Sequence, residues 1–437
     1  MDTYNADLHI HSPHSIAVSQ SLNLDTMLKT AKIKGLHLIG TGDILQPDWF
    51  QYMKKNLTKH DDGSFSYKEI NFLLQTEIED KESIHHVVFF PDFDTVKEIQ
   101  TQLEPHSKNI LNEWGGRPRV NLSPPELVDI VTDSNAIIGP AHAFTPYRAI
   151  FRQGKFNSLE DCYQDATSKV DFLELGLSAN TELADRMECL KDVSFLSNSD
   201  AHSQKPTSLG REFNKFALET PSFEEIRLAL RRKDDRKVTL NVGLHPKLGK
   251  YYNMFCGKCR RRVLFKKMKK KNKNPFTSYS ITENFIIYQV DNPAERRKKY
   301  INKVSKKNVT CPACKQKTGK NYKMKLGVSE RIDVISSYPE PKHPTHRPEY
   351  INAVPLYDIL RAIKGIKSKN SKTVNRAYDK IIKHLGNEFD IVLDIPLAEV
   401  KEYNEKIGKI IEAIREDEIE YTPGGGGTYG DINLPQF

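Results

Sequence analysis

Apolar runs that end on a histidine or a carboxylate recur through the first half of this chain, and that recurrence restricts the fold more than any other feature. Ser194-Phe195-Leu196-Ser197-Asn198-Ser199 closes on Asp200-Ala201-His202, and Ala136-Ile137-Ile138-Gly139-Pro140-Ala141 closes on His142. Leu36 to Gly40 leads into Thr41-Gly42-Asp43, and Phe72 to Glu77 ends on its own carboxylate. Barrels of alternating strands and helices carry their chemistry at the C-terminal rim of the strands, which is where such residues fall. Residues 4–11 alternate as a strand does, so His9 and His11 share a face, and Asp7 on that face can orient an imidazole. Of the neighbours His85 and His86 only one can point into a site; the apolar run is read as starting at His86, which selects that one. Glu174, in Val170 to Leu175, reads as a supporting carboxylate rather than a ligand. A single histidine pair or an aspartate after a glycine is ordinarily structural. Metal is indicated by how many of them line up.

Between these runs lie helix signals. Leu24 to Lys34 stops at Gly35, Ser123-Pro124-Pro125-Glu126 reads as a helix start, Asn180 to Lys191 as a helix, and Ser222 with Glu225 as the cap of a helix to Arg232. About seven strands alternating with helices predict an α/β barrel or a close relative over residues 1–244, and that number fits a distorted seven-stranded barrel as well as an eight-stranded one. After His202, Arg211 and Asn214 are candidate phosphate contacts, while Phe144 and Tyr147 form an aromatic loop at the same rim.

From residue 245 to 328 the composition changes. His245 to Lys325 carries 24 Lys and Arg against 3 Asp and Glu, a net of +21, leaving the rest at −12 under an overall +9. A basic module joined to an acidic one suggests that one part holds a polyanion and the other binds cations. Cys256-x-x-Cys259 and Cys311-x-x-Cys314 make two knuckles suited to a structural four-thiolate zinc site, although the 51 residues between them exceed the usual ribbon spacing. Lys258, Arg260, Arg261, Lys269 and Lys270 lie among the cation clusters and are candidate contacts for a nucleic-acid phosphate backbone. Residues 330–350 read as a linker, 329–422 as a helical region with Pro355 to Ile363, Ser371 to Leu385 and Leu397 to Ile414 as helices, and 423–437, with its run Gly424 to Gly427, as a flexible tail. Leu434 and Phe437 in that tail stand where a sliding-clamp peptide carries its anchors. Apolar runs of about 18 residues and a secretory start are both missing, so a cytoplasmic protein with no membrane partner is expected.

Taken together, His9-Ile10-His11, Glu77, His86, Gly139-Pro140-Ala141-His142 and Asp200-Ala201-His202 resemble the ordered metal motifs of the PHP family. Gly40-Thr41-Gly42-Asp43, His142-Ala143-Phe144-Thr145-Pro146, Asn198 to His202 and Leu209-Gly210-Arg211-Glu212-Phe213-Asn214 resemble, more narrowly, the endonuclease Q family. Gly249-Lys250-Tyr251, Phe389-Asp390-Ile391 and Tyr429-Gly430 extend that resemblance over nearly the whole chain. It implies a PHP barrel with a zinc-binding domain and a helical C-terminal region. The activity it implies is a DNA repair endonuclease that cuts 5′ to hypoxanthine, uracil, xanthine or an abasic site in duplex DNA and leaves a 3′-hydroxyl; some relatives bind a sliding clamp.

The resemblance also implies a cluster of two or three divalent ions, zinc with magnesium or manganese as companions. His9, His11, Glu77 and Asp200 match the first position, Glu77 bridges to a second with His86 and His142, and His202 with Asp43 would hold a third. Asp43 stands near where many relatives have histidine, and Ala17 offers no ligand near the usual extra histidine. Asp200, Glu77 and His202 are the expected catalytic residues. Selecting a damaged base requires extruding it from the stack. A small-molecule phosphoesterase on the same barrel, or a DNA-binding protein with purely structural metals, are the competing readings; the basic module speaks against the first, and metal-dependent nicking separates the second.

Overall fold

The computed structural model describes residues 1–268, 279–306, 309–314, 324–366, 368 and 371–434. The seven expected strands all form: Asp2–Asp7, Leu38–Gly40, Ile70–Glu79, His85–Phe90, Ile137–Pro140, Phe172–Glu174 and Ser194–Leu196. The first three pair in parallel, His85–Phe90 runs antiparallel to both its neighbours, and Phe172–Glu174 pairs in parallel with Ser194–Leu196. A bridge between Ile10 and Ala201 returns the last segment to the first, giving the distorted α/β barrel. Two further strands, Phe213–Leu218 and Lys237–Gly243, continue the sheet outward from Asp2–Asp7.

The pleat decides what reaches the rim. Leu73, Val87, Phe89, Ile137 and Phe172 fill the barrel interior, while Leu74, Val88, Phe90 and Ile138 pack outward beneath the helices. Odd-numbered residues of the Ile70–Glu79 and His85–Phe90 hairpin therefore face inward, because side chains alternate along a strand. Helices begin and end where their caps stand. The Asn23 side chain accepts from Thr26 N, and Gly35, at φ 88°, ends the helix Leu24–Lys34 in the left-handed region a Cβ disfavours. The helix expected over 180–191 is instead Thr181–Ala184 followed by a short 3-10 turn, Glu188–Leu190. Between them Asp185 is taken up by His343 and Arg347.

The basic module is a five-stranded sheet in the order Tyr279–Ile281, Phe285–Val290, Arg262–Lys267, Phe255–Cys256, Met324–Lys325, with the helix Pro293–Ser305 packed against it. The boundary expected at 329 moves. Helix Val328–Ile335 buries Val328 and Ile332 in the barrel core, and Glu349–Asn352 adds to Lys237–Gly243 as a parallel strand, so 330–350 is no linker. The helical region starts at Leu356, and its last expected helix is split by Asn404, which caps the second half, Glu405–Arg415. Lys34 and Glu388, both buried, pair at 2.7 Å between barrel and helical region, and Phe213 stacks on Phe389 at 3.6 Å.

The glycine-rich segment is folded rather than flexible. Glu420–Thr422 pairs with Asp431–Asn433, Gly424 N donates to Lys247 O and Gly430 N to Leu248 O. A Cβ on Gly426 would lie 2.2 Å from Arg260 O, so the run serves close approach to the basic module. Leu434 packs on the helical core, while Phe437 of the clamp-like motif lies outside the described residues. No helix among the described residues is long and apolar enough to cross a membrane.

Candidate metal centre

Three site residues lie just past strand ends with positive φ: Asp43 at 42°, His142 at 32° and Asp200 at 49°. Each such conformation costs about 1–3 kcal/mol for a residue with a Cβ, and that strain turns the side chain from the strand toward the rim. Three overlapping groups result: His9, His11 and Glu77; His11, Asp200 and His202; and Glu77, His85 and His142.

Within them His11 Nε2 is 3.1 Å from Asp200 Oδ1 and 3.5 Å from Glu77 Oε2, and His9 Nε2 is 3.8 Å from Glu77 Oε1. His142 Nε2 and His85 Nδ1 approach Glu77 Oε1 at 3.0 and 2.8 Å. Spacings of this kind are the edges of coordination polyhedra with bonds of about 2.0–2.2 Å. His9 Nε2, His11 Nε2 and Glu77 Oε2 are buried, with no hydrogen-bond partner among the described residues. Orphaned buried ligand atoms converging on one carboxylate are what a metal cluster requires, since leaving them unmatched is costly. The residues fit divalent ions, and Glu77, common to two groups, is the bridging candidate.

The other side of each imidazole is fixed. His9 Nδ1 lies 2.9 Å from Glu174 Oε1, and His11 Nδ1 lies 2.9 Å from Asp43 Oδ1. Those contacts set the tautomer and aim Nε2 at the cluster. Glu174, also accepting from His142 N and Asn198 Nδ2, is the supporting carboxylate its strand position indicated. Asp43 instead accepts from His11 and from Ser12 N and Oγ, so it orients an imidazole rather than facing a third ion. Asp7 does not orient His9; it accepts from Ser199 and Gly210, and burial lifts it to about 6. Burial opposes charge on His9 and His11, but Glu174 on the one and Asp43 on the other outweigh it, lifting them to about 9 and about 10. Burial likewise works against ionised Glu77 and Asp200, yet His85 and Arg117 hold the first, and His11 and His202 the second, well below the usual carboxylate range.

His86 is not at the centre. It pairs across the hairpin with Ile78 on the outer face, where Nε2 meets Asp80 at 3.0 Å and Nδ1 meets Tyr163 Oη at 3.2 Å. His85, opposite Glu79, occupies the place expected for it, since the strand begins one residue earlier than the apolar run suggests. Asn214 is fully buried in an amide network with Ser197, Asn198 and Asn241, away from any solvent-facing phosphate. Arg211 donates to Ser199 O and to Tyr429 Oη, clipping the C-terminal hairpin to the residue before Asp200. Phe144 is buried against Phe151, closed to a base, whereas Tyr147 receives Arg260 and Lys325 from the basic module.

Arg117 is the residue that sequence reading missed. Its Nε is 2.8 Å from Glu77 Oε2, out of line for a hydrogen bond, and Nη1 is 3.4 Å from His85 Nε2. Nothing in its setting, Gly115-Gly116-Arg117-Pro118-Arg119, marks it as other than a loop cation.

In the basic module, Cys256 and Cys314 sulfurs are 3.7 Å apart and those of Cys259 and Cys311 3.8 Å, with all four within 4.8 Å. Four thiolates bonded at about 2.3 Å to one tetrahedral ion stand about 3.8 Å apart, so the set fits a metal despite the long insert. Lys258 and Arg260 are exposed beside this knuckle and Arg261 donates to Thr282 O, while Lys269 and Lys270 lie outside the described residues.

Comparison with known proteins places these features in context. A family model described as the MJ0043 C-terminal domain matches residues 355–418, the helical region. MJ0043 of Methanocaldococcus jannaschii is 33% identical over 315 residues, 70% of this chain but 34% of that protein, so the match spans about a third of its length. YqxK of Bacillus subtilis is 29% identical over 447 residues and 98% of each chain. Among solved structures, the novel lesion-specific endonuclease PfuEndoQ of Pyrococcus furiosus matches with TM-score 0.82 and 35% identity, over 100% of this chain and 96% of that one. An Endonuclease Q complex with a 27-mer duplex carrying an abasic lesion at the active site matches with TM-score 0.84 and 34% identity, over 100% and 97%.

Proposed function

Because this chain belongs to the endonuclease Q family, we propose that it is a metal-dependent DNA repair endonuclease that nicks duplex DNA 5′ to a deaminated base or an abasic site. The observation that carries the reading is the set of orphaned His9, His11 and Glu77 atoms converging within a chain that matches an abasic-lesion complex from end to end.

His9, His11, Glu77 and Asp200 would hold one ion, Glu77 with His85 and His142 a second, and His202 with His11 and Asp200 would border a third. Bound divalent ions supply a water acidic enough to ionise near neutral pH and neutralise charge on the phosphate. The protein's own work is to fix the ligands: Glu174 and Asp43 keep the Nδ1 protons of His9 and His11 turned outward and both Nε2 atoms directed inward. Asp200 and Glu77 are held well below the usual carboxylate range, so both present charged oxygens to the ions. Hydrolysis adds hydroxide to phosphorus and breaks its bond to the upstream O3′, which takes a proton from solvent and leaves as the 3′-hydroxyl. Zinc is the ion we assign to the four thiolates, and zinc with magnesium or manganese to the barrel. The basic module, reaching the rim through Arg260 and Tyr147, supports a grip on the DNA backbone beside the cut.

Labelled duplexes carrying hypoxanthine, uracil, xanthine or an abasic site, run on a denaturing gel with and without chelator, test the reading. Metal-dependent nicks 5′ to the lesion, lost in Asp200→Ala, are the expected result. Cleavage of a generic phosphomonoester with intact DNA would reject it.

A further inference from the structure

The metal-ligand cluster contains a cation that makes metal binding harder, and the backbone explains how it arrives. Glu79 N donates to Pro118 O at 2.9 Å and Val120 N to Glu79 O at 2.8 Å, so this segment runs alongside the end of the Ile70–Glu79 strand with Arg119 opposite Glu79. Two residues back on the same face, Arg117 stands opposite Glu77. Gly116 permits the approach: a Cβ there would lie 2.6 Å from Ser15 Oγ and 2.7 Å from Asp43 Oδ2. Outside Arg117, Arg119 Nε lies 3.6 Å from Glu79 Oε2, and Arg148 pairs with Glu79 Oε1. Their exposure rises outward, from 25% for the side chain of Arg117 to 43% for Arg148 and 62% for Arg119.

Three guanidinium groups stand at Glu77 and Glu79, on one side of the ligands for cations. Each of these charges repels a bound cation, and an anion seated between them and the ions would be attracted by both. A guanidinium has five donors in a planar fork matched to phosphate, and the contacts of Arg117 leave Nη2 without a partner among the described residues. We propose that Arg117, Arg119 and Arg148 form the phosphate track of the cleaved strand, with Arg117 donating to a non-bridging oxygen of the scissile phosphate and the outer pair holding a neighbouring phosphate. This rests on the endonuclease reading. Arg117 stays charged throughout and moves no proton; it stabilises the charge that gathers on the phosphate oxygens as phosphorus becomes five-coordinate.

Single-turnover nicking of an abasic-site duplex, with bound metal counted by mass spectrometry, tests it on the full chain. Arg117→Ala should slow nicking by about 10²-fold or more with metal content unchanged. Arg117→Lys should recover only part of the rate, and millimolar guanidinium should restore some activity to Arg117→Ala. The double change Arg119→Ala and Arg148→Ala should weaken DNA binding and flatten its log-log salt dependence by about 1 to 2. Nicking by Arg117→Ala within threefold of the wild type overturns the assignment. So does a rate loss that tracks lost metal, which would make Arg117 a charge balance for Glu77 alone. A wild type that nicks no lesion overturns the endonuclease reading instead, and this one with it.

Discussion

Glutamine in place of Glu174 isolates what holding an imidazole contributes to holding a metal. Glu174 is fully buried and accepts from His9 Nδ1 at 2.9 and 3.0 Å, from His142 N at 2.8 Å and from Asn198 Nδ2 at 3.0 Å. The isosteric amide keeps the volume but turns one oxygen into an NH2 group, which must then face a donor. One mismatched buried donor costs about 1–3 kcal/mol, a modest fall in melting temperature. The larger effect is on the ion. Losing the carboxylate behind a metal-bound histidine lowers affinity about 10- to 100-fold, which is about 1.4–2.7 kcal/mol at 1.36 per decade. The assay is nicking rate against buffered free metal, with circular dichroism to establish the fold. Half-saturation should move up one to two decades while the plateau rate is largely recovered. A half-saturating concentration within twofold of the wild type, in a folded protein, would refute the link between Glu174 and the ion.

His85→Ala should reduce nicking by at least the 10- to 100-fold seen when a ligand's support is removed, whereas His86→Ala should lower stability by about 2–5 kcal/mol by stranding Asp80 and Tyr163; equal nicking losses per folded molecule would contradict the hairpin register. Metal uptake should strengthen with pH, because ions must displace protons from His9 and His11, held to about 9 and about 10 without metal. Chelator competition at pH 6, 7 and 8 should give up to about a hundredfold per unit, the dependence flattening only above about pH 10; a flat profile would remove both imidazoles from the ligand set. Burial pushes Glu212 up to about 8 from 4.5, so the folded chain keeps a proton the unfolded chain releases. That contribution is present at acid pH and is lost as pH rises from about 4.5 through about 8. Glu212→Gln should therefore gain melting temperature relative to the wild type across that window, and parallel curves at pH 5 and 9 would refute it.

How far the sequence could be read follows from which interactions are local. His9, His11, Glu77, His142 and Asp200 were legible because each sits at or just past the end of an apolar run, and a strand's period carries that information along the chain. The choice between His85 and His86 was not, since it depends on which residue faces Glu79 across the hairpin, a register that neither strand encodes alone. Asp43 was found as a site residue, but its task was misread, because a carboxylate behind an imidazole and one in front of it look alike until the ring is oriented. Arg117 was invisible: its position comes from an extended stretch that joins the sheet 40 residues after the strand it borders. Composition misled in the tail, where four glycines read as slack and serve contact with Arg260 and Lys247. The motifs outside the metal centre fall at joints: Tyr251 meets Tyr147, Phe389 meets Phe213, and Tyr429 meets Arg211.

The Arg211 clip also ties the chemistry to the order of synthesis. Tyr429 lies 218 residues downstream of Arg211, whose other hand steadies the carbonyl just ahead of Asp200. A growing polypeptide can finish its barrel and gather its histidines while the hairpin is still inside the ribosome, yet Arg211, which holds the carbonyl ahead of Asp200, lacks its Tyr429 partner until that hairpin emerges. The last contact to reach the turn that carries Asp200 is thereby among the last the chain can make.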